Sequence, residues 1–177
     1  LEYHRGTYTS QARIKRANRK CEFLLHDAEF LAAWAALVTG YQYPHTDLTR
    51  AWELLCLNQF HDIIAGTSIG QVYEDSLHDY ELCCAIAEQV REAALASLFQ
   101  LLPTETKFVA INPTSFGGYY LGWLPEQLSK ELTIVNLSSH KPLLTQSVEN
   151  GTLVEVPYID PYGLLALGSE NRPPPLS

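Results

Sequence analysis

ARIKRANRKCEFLLHDAEFLAAWAALVTG, residues 12–40, places apolar side chains at 14, 17, 21, 24, 28, 31, 35 and 38. Steps that alternate between three and four residues put all eight on one stripe of a helix, with charged residues between them. Gly40 and Pro44 end the run. Two further stripes follow. One passes through Leu48, Ala51, Leu55, Phe60 and Ile63, with Thr46 or Asp47 available as an N-cap and Gly66 past its end. The other starts behind Ser68-Ile69-Gly70-Gln71, whose spacing is that of a capping box, and runs from Val72 and Tyr73 to Leu98 and Leu101 before Pro103. Three long amphipathic helices with short links predict an antiparallel three-helix bundle.

After Pro103 the pattern changes to short apolar runs separated by turn residues. Residues 108–111, 132–135, 153–156 and 164–167 read as strands, and Asn150-Gly151 and Pro161-Tyr162-Gly163 as turns. Four or five strands close no complete sandwich, so the expectation is α+β, a bundle followed by a partial antiparallel β domain. The boundaries expected are 1–11 as the end of a preceding domain or linker, 12–103 as the bundle, and 104–177 as the start of a truncated β-sandwich. Arg172-Pro173-Pro174-Pro175 reads as a linker or frayed end.

The chain has 177 residues, no methionine, and Leu at position 1, from which the expectation is a piece cut from a longer protein. Its net charge of −8 argues against nucleic acid as a partner. That charge is uneven. Residues 1–20 hold six Lys/Arg against one Glu, whereas residues 21–102 hold two against twelve acids, a pattern usual for solvated faces. No apolar run approaches the roughly 20 residues that cross a bilayer, so no membrane partner is expected. Cys21, Cys56, Cys83 and Cys84 show no CxxC spacing and read as buried free thiols in a reducing, cytoplasmic setting.

The dipeptide His-Asp occurs at 26–27, 61–62 and 78–79. His26 and His78 fall in mid-helix and need no special reason. His61-Asp62 sits in Asn58-Gln59-Phe60-His61-Asp62-Ile63-Ile64-Ala65-Gly66-Thr67-Ser68, where a helix end crowds polar groups that packing alone would not require. An imidazole held at a helix end can ligate zinc, but zinc takes three or four ligands and no second His stands at ligand spacing. Spacing alone leaves a metal site and a structural histidine both open. Nor do the residues show a nucleophile elbow, a phosphate loop or the paired carboxylates of a glycosidase.

The stretch Leu57–Ser68 resembles the signature of glycoside hydrolase family 38, the class II α-mannosidases, in the bundle of their middle domain. Three other stretches resemble that family in order: Glu2–Gln11 the link from its catalytic domain, Lys15–Lys20 the start of its first bundle helix, and Phe108–Pro113 its opening β strand. The resemblance spans nearly the whole chain, strongest over 1–70 and thin beyond 125. It implies a retaining α-mannosidase with one zinc ion, His61 as a zinc ligand and Asp62 as a contact to hydroxyls of the mannose. The nucleophile, the general acid and the other zinc ligands would lie in a missing N-terminal catalytic domain. The isolated chain would then neither turn over mannosides nor hold zinc tightly. Two other readings stand beside this one: a hydrolase of an α-mannosyl conjugate such as mannosylglycerate, and a non-catalytic helical adaptor with an acidic face for a partner protein.

Overall fold

The computed structural model describes residues 5–129 and 131–171, so the 172–175 tail and the first residues of the 2–11 stretch lie outside the described residues. The chain divides into two compact units, Leu1–Leu101 and Leu102–Ser177. The first is helical and the second is antiparallel sheet, a mixed helix and sheet architecture.

The helical unit holds α1 (Ala12–Thr39), α2 (His45–Asn58), the single turn α3 (His61–Ile64) and α4 (Gly70–Phe99). Contacts join each pair of the long helices. Asn18 lies by Tyr80, Cys21 by Cys84 and Thr39 by Ser97, so α1 and α4 run the same way. Asn58 reaches Asp79 and Ala51 lies by Cys83, so α2 runs opposite to α4. The α1 stripe is buried from Ile14 to Ala35 except at the half-buried Ala17, beside which Asn18 is buried instead, and it is widened by Leu25 and Ala32. Burial of the Ile and Leu side chains among them contributes about 1.5–3 kcal/mol each, and such packing outweighs helix propensity as the source of order. Gly40 closes α1 at φ 78°, a left-handed conformation that glycine adopts without a Cβ penalty.

The caps differ from expectation. Helix α2 begins at His45 behind Pro44, so Thr46 and Asp47 lie inside it and cap nothing. It stops at Asn58, short of Phe60 and Ile63, because the buried Asn58 amide donates to Leu54 O (2.9 Å) and Asp79 Oδ2 (3.1 Å). Phe60 then takes extended backbone (φ −54°, ψ 139°), which no helix continues. The capping box also fails: α4 starts behind Ile69 with no side-chain cap, and Ser68 Oγ is turned to Asp62 O instead. Of the four thiols, Cys21 and Cys83 are buried, but Cys84 is half-buried and Cys56 is exposed, which corrects the expectation that all four are inside.

Among the described residues the second unit has seven strands rather than four or five. They are β1 (Phe108–Ile111), β2 (Gly118–Leu124), β3 (Leu132–Asn136), β4 (Lys141–Pro142), β5 (Thr145–Val148), β6 (Gly151–Ile159) and β7 (Leu164–Asn171). One sheet has the order β1-β7-β3-β4 and the other β2-β6-β5, and every pairing is antiparallel. Ile134 and Leu167 of the first sheet and Val154 of the second form one core, with Phe108, Leu124 and Leu165 packed on it. Two facing sheets with a shared core make a small sandwich. Among the described residues no helix is long and apolar enough to cross a membrane.

Candidate functional site

His61 and Asp62 form the first turn of α3, between the end of α2 and the start of α4. The polar residues just before them serve structure. Asn58 ends α2 as described, its carbonyl accepts from Tyr80 Oη (3.5 Å), and Gln59 Nε2 donates to Glu22 Oε1 on α1 (2.9 Å). The crowding at 58–62 therefore divides: 58 and 59 turn toward the other helices, and 61 and 62 turn outward.

The outward pair is exposed, with the His61 side chain 78% and the Asp62 side chain 57% accessible. His61 Nε2 lies 3.6 Å from Asp62 Oδ2. The Phe60 ring stands 4.2 Å from the imidazole, centroid to centroid, at 46°. Beyond α3 the chain folds back. The carbonyl of Asp62 accepts from Thr67 N–H (3.2 Å) and Ser68 Oγ (2.8 Å), and the Thr67 hydroxyl lies 3.3 Å from both that carbonyl and Asp62 Oδ1. Ser68 N–H donates to Tyr73 Oη (2.7 Å), which ties the returning strand of chain to α4.

From the other side the loop is held by the start of α1. Ser10 Oγ donates to Ala65 O at 2.8 Å, and the Lys15 ammonium donates to Ile64 O at 2.8 Å and to Ser10 O. Gly66, with φ 86°, lets the backbone pass so close to Ser10 that an added Cβ would stand 2.4 Å from its hydroxyl oxygen. Ser10, Lys15, Thr67 and Ser68 were missed as site-building residues. Thr67 and Ser68 lie within the signature and could have been suspected; Ser10 and Lys15 act across some fifty positions, which no local pattern reports.

Among the described residues no three of His, Cys, Asp or Glu converge to hold a metal ion. What the turn offers is one exposed imidazole and one exposed carboxylate on an anchored backbone. That donor set fits a ligand and a hydroxyl acceptor contributed to a site completed by other chain. His26, beside Asp27 at 3.2 Å, is exposed on α1, and His78 is exposed on α4. A groove of about 430 Å³ in the helical unit is lined by Glu29, Tyr43, His45, Trp52 and Glu53 among others, and a cleft of about 260 Å³ in the sheet unit is lined by apolar residues such as Phe108, Ile134 and Val154. Neither contains His61 or Asp62.

Three kinds of comparison bear on this turn. The family profile described as "Alpha mannosidase middle domain" matches residues 2–98. Alpha-mannosidase 2C1 of Homo sapiens is 43% identical over 113 residues, 63% of this chain and 11% of that protein. Alpha-mannosidase of Saccharomyces cerevisiae is 33% identical over 139 residues, 76% of this chain and 12% of that protein. The chain thus spans about an eighth or less of the length of the curated relatives it matches. The crystal structure of an alpha-mannosidase from Enterococcus faecalis V583 superposes with a TM-score of 0.79 over 94% of this chain and 24% of its own. Its sequence identity is 18%, so that likeness concerns the fold.

Proposed function

The chain belongs to the alpha-mannosidase middle-domain family, and from that premise we propose that it is the central portion of a retaining, zinc-dependent α-mannosidase acting on terminal α-D-mannosyl residues. The observation that carries this reading is the outward presentation of His61 and Asp62 on a turn whose backbone is tied down from both sides. A histidine with only a packing role has no need of such exposure on so constrained a support. We read the helical unit as a three-helix bundle whose α2–α4 end faces the rest of the enzyme. The reducing setting expected from four free cysteines supports a cytoplasmic enzyme.

In this reading His61 would be one of the ligands that hold the zinc ion, and the Phe60 ring beside it restricts the rotation of the imidazole. Zinc, when bound, supplies Lewis-acid polarisation of sugar hydroxyls. Asp62 accepts hydrogen bonds from hydroxyls of the mannose, and its negative charge favours a sugar ring that gains positive character on the way to an oxocarbenium-like transition state. The Thr67 hydroxyl lies within reach of the Asp62 carboxylate and limits its swing. The nucleophile, the general acid and the remaining zinc ligands belong to a preceding catalytic domain. By itself the chain is inactive and holds zinc weakly.

The test uses the full-length parent enzyme with an aryl α-mannoside and metal analysis. His61→Ala is expected to lose zinc and turnover together, whereas Asp62→Asn keeps zinc and loses turnover. A zinc-replete, active His61→Ala enzyme refutes the assignment. Turnover above blank by the isolated chain would show that the essential groups lie within it.

A further inference from the structure

Resting on the function proposed above, we infer that Lys15 is a positioning residue for the His61–Asp62 pair: its ammonium ties the carbonyl end of α3 to the first turn of α1. A four-residue helix cannot hold itself, because a first turn fixes several backbone angles for one hydrogen bond. Its last carbonyls have no partners within the helix and must find them elsewhere. Here Lys15 Nζ takes Ile64 O at 2.8 Å and Ser10 Oγ takes Ala65 O at 2.8 Å. Lys15 also donates to Ser10 O, so one ammonium holds a carbonyl of the turn and the residue that holds the next carbonyl.

The cost of this arrangement argues that it has a use. Lysine is flexible and strongly hydrated, so fixing its head on two backbone carbonyls at a half-buried position gives up rotamer freedom and water. Lys20, on the same helix, shows the ordinary case, an exposed ammonium 3.7 Å from Glu88. The carbonyl that Lys15 holds is only three residues from His61, and the imidazole and carboxylate project from this same turn. A shift of α3 moves both together. Lys15 touches neither metal nor sugar; it sets where the two groups stand.

The experiment compares Lys15→Met, Lys15→Arg, Ser10→Ala and Lys20→Met in the full-length enzyme. Zinc affinity is read by chelator competition, kcat/KM with an aryl α-mannoside, and amide hydrogen exchange over residues 58–68 in the metal-free protein. Loss of a group that orients a metal ligand lowers affinity or activity about 10- to 100-fold. Lys15→Met is expected to lose zinc affinity and kcat/KM in that range and to exchange faster at 61–67 than in the rest of the helical unit. Lys15→Arg, which keeps a donor for each carbonyl, restores most of both; Ser10→Ala shifts them in the same direction by less; Lys20→Met changes nothing.

Parental zinc affinity and parental exchange in Lys15→Met overturn the inference. So does a uniform rise in exchange with no excess at 61–67, since that is only lost stability. Should Lys15→Met fail to fold, Ser10→Ala decides, and parental values there overturn it equally. An inactive, zinc-poor His61→Ala beside a silent Lys15→Met removes this inference and leaves the proposed function standing. A zinc-replete, active His61→Ala removes both.

Discussion

Gly66→Ala tests whether the turn bearing His61 and Asp62 is as tightly seated as its geometry implies. Gly66 has φ 86°, and the new Cβ would meet Ser10 Oγ at 2.4 Å, Ser10 Cβ at 3.0 Å and Gln11 Cγ at 3.4 Å. The left-handed backbone costs alanine about 1–2 kcal/mol relative to glycine. The contact at 2.4 Å cannot persist, so Ser10 must turn away and lose its bond to Ala65 O, worth about 1 kcal/mol net. The expected loss of stability is therefore about 2–3 kcal/mol. Urea unfolding of the chain followed by helical circular dichroism measures it. A cycle with Ser10→Gly isolates the steric part, because that change removes both atoms in the way. The double variant should lose about 1 kcal/mol less than the two singles combined, since the Ser10–Ala65 bond can be lost only once. A Gly66→Ala chain within about 0.5 kcal/mol of the parent, or additivity within that margin, refutes the close approach of the 61–68 turn to the start of α1.

Three other outcomes test the helical unit. Leu25→Ala empties a fully buried site on α1 and should cost about 2–5 kcal/mol by the same urea measurement; a loss below about 1 kcal/mol would mean that α1 does not pack as described. The Cys84 thiol is pushed from its ordinary value of 9.0 up to about 12, chiefly by burial and then by Cys21 Sγ at 3.0 Å. The folded chain therefore keeps a proton that the unfolded chain releases, and the stability this contributes is full below pH 9 and falls as pH rises from 9 toward about 12. Urea midpoints should drop across that window in the parent and drop less in Cys84→Ala; equal slopes in both refute it. In the same chain, Ellman's reagent near neutrality should label the exposed Cys56 fast and the buried Cys21 and Cys83 only after unfolding.

How far the fold could be read from residues alone depended on whether a signal was local. The α1 stripe is a property of one helix, and its buried positions follow it from Ile14 to Ala35. At its end the reading failed: Val38 continues the spacing but stands exposed, because helical period says which face is apolar and not how far a neighbour extends. Strand β2 was missed because GYYLGWL is apolar on both faces and carries two glycines, so no alternation marks it. The Asn150-Gly151 signal was sound but displaced; the two turn residues are Glu149 and Asn150, since Val148 pairs with Gly151. The Ser68–Gln71 capping box was a fair local pattern that lost to a competing acceptor, the carbonyl of Asp62, to which Ser68 Oγ donates instead.

The candidate site was legible as a suspicion about His61 and not as an arrangement. Polar crowding at 58–62 drew attention to this turn, but the crowding has two parts. Asn58 and Gln59 bond Asp79 and Glu22 at the helix end, and His61 and Asp62 are the polar pair left facing outward. The basic start of the chain read as a solvated face, and for Lys20 it is one. Lys15 departs from that pattern, and its carbonyl partner Ile64 lies too far along the chain for charge patterning to disclose.

The way α2 ends has a consequence for anyone who would transplant this motif. The dodecapeptide 57–68 looks self-contained on paper, yet its direction is inherited from elsewhere: from α4 through Asp79, and from the start of α1 through Ser10 and Lys15. Grafted alone onto another helical scaffold, it would carry the right side chains with no compass. The smallest portable unit is discontinuous, three segments that meet only after the helices have docked. A designer would have to copy those struts before copying the histidine.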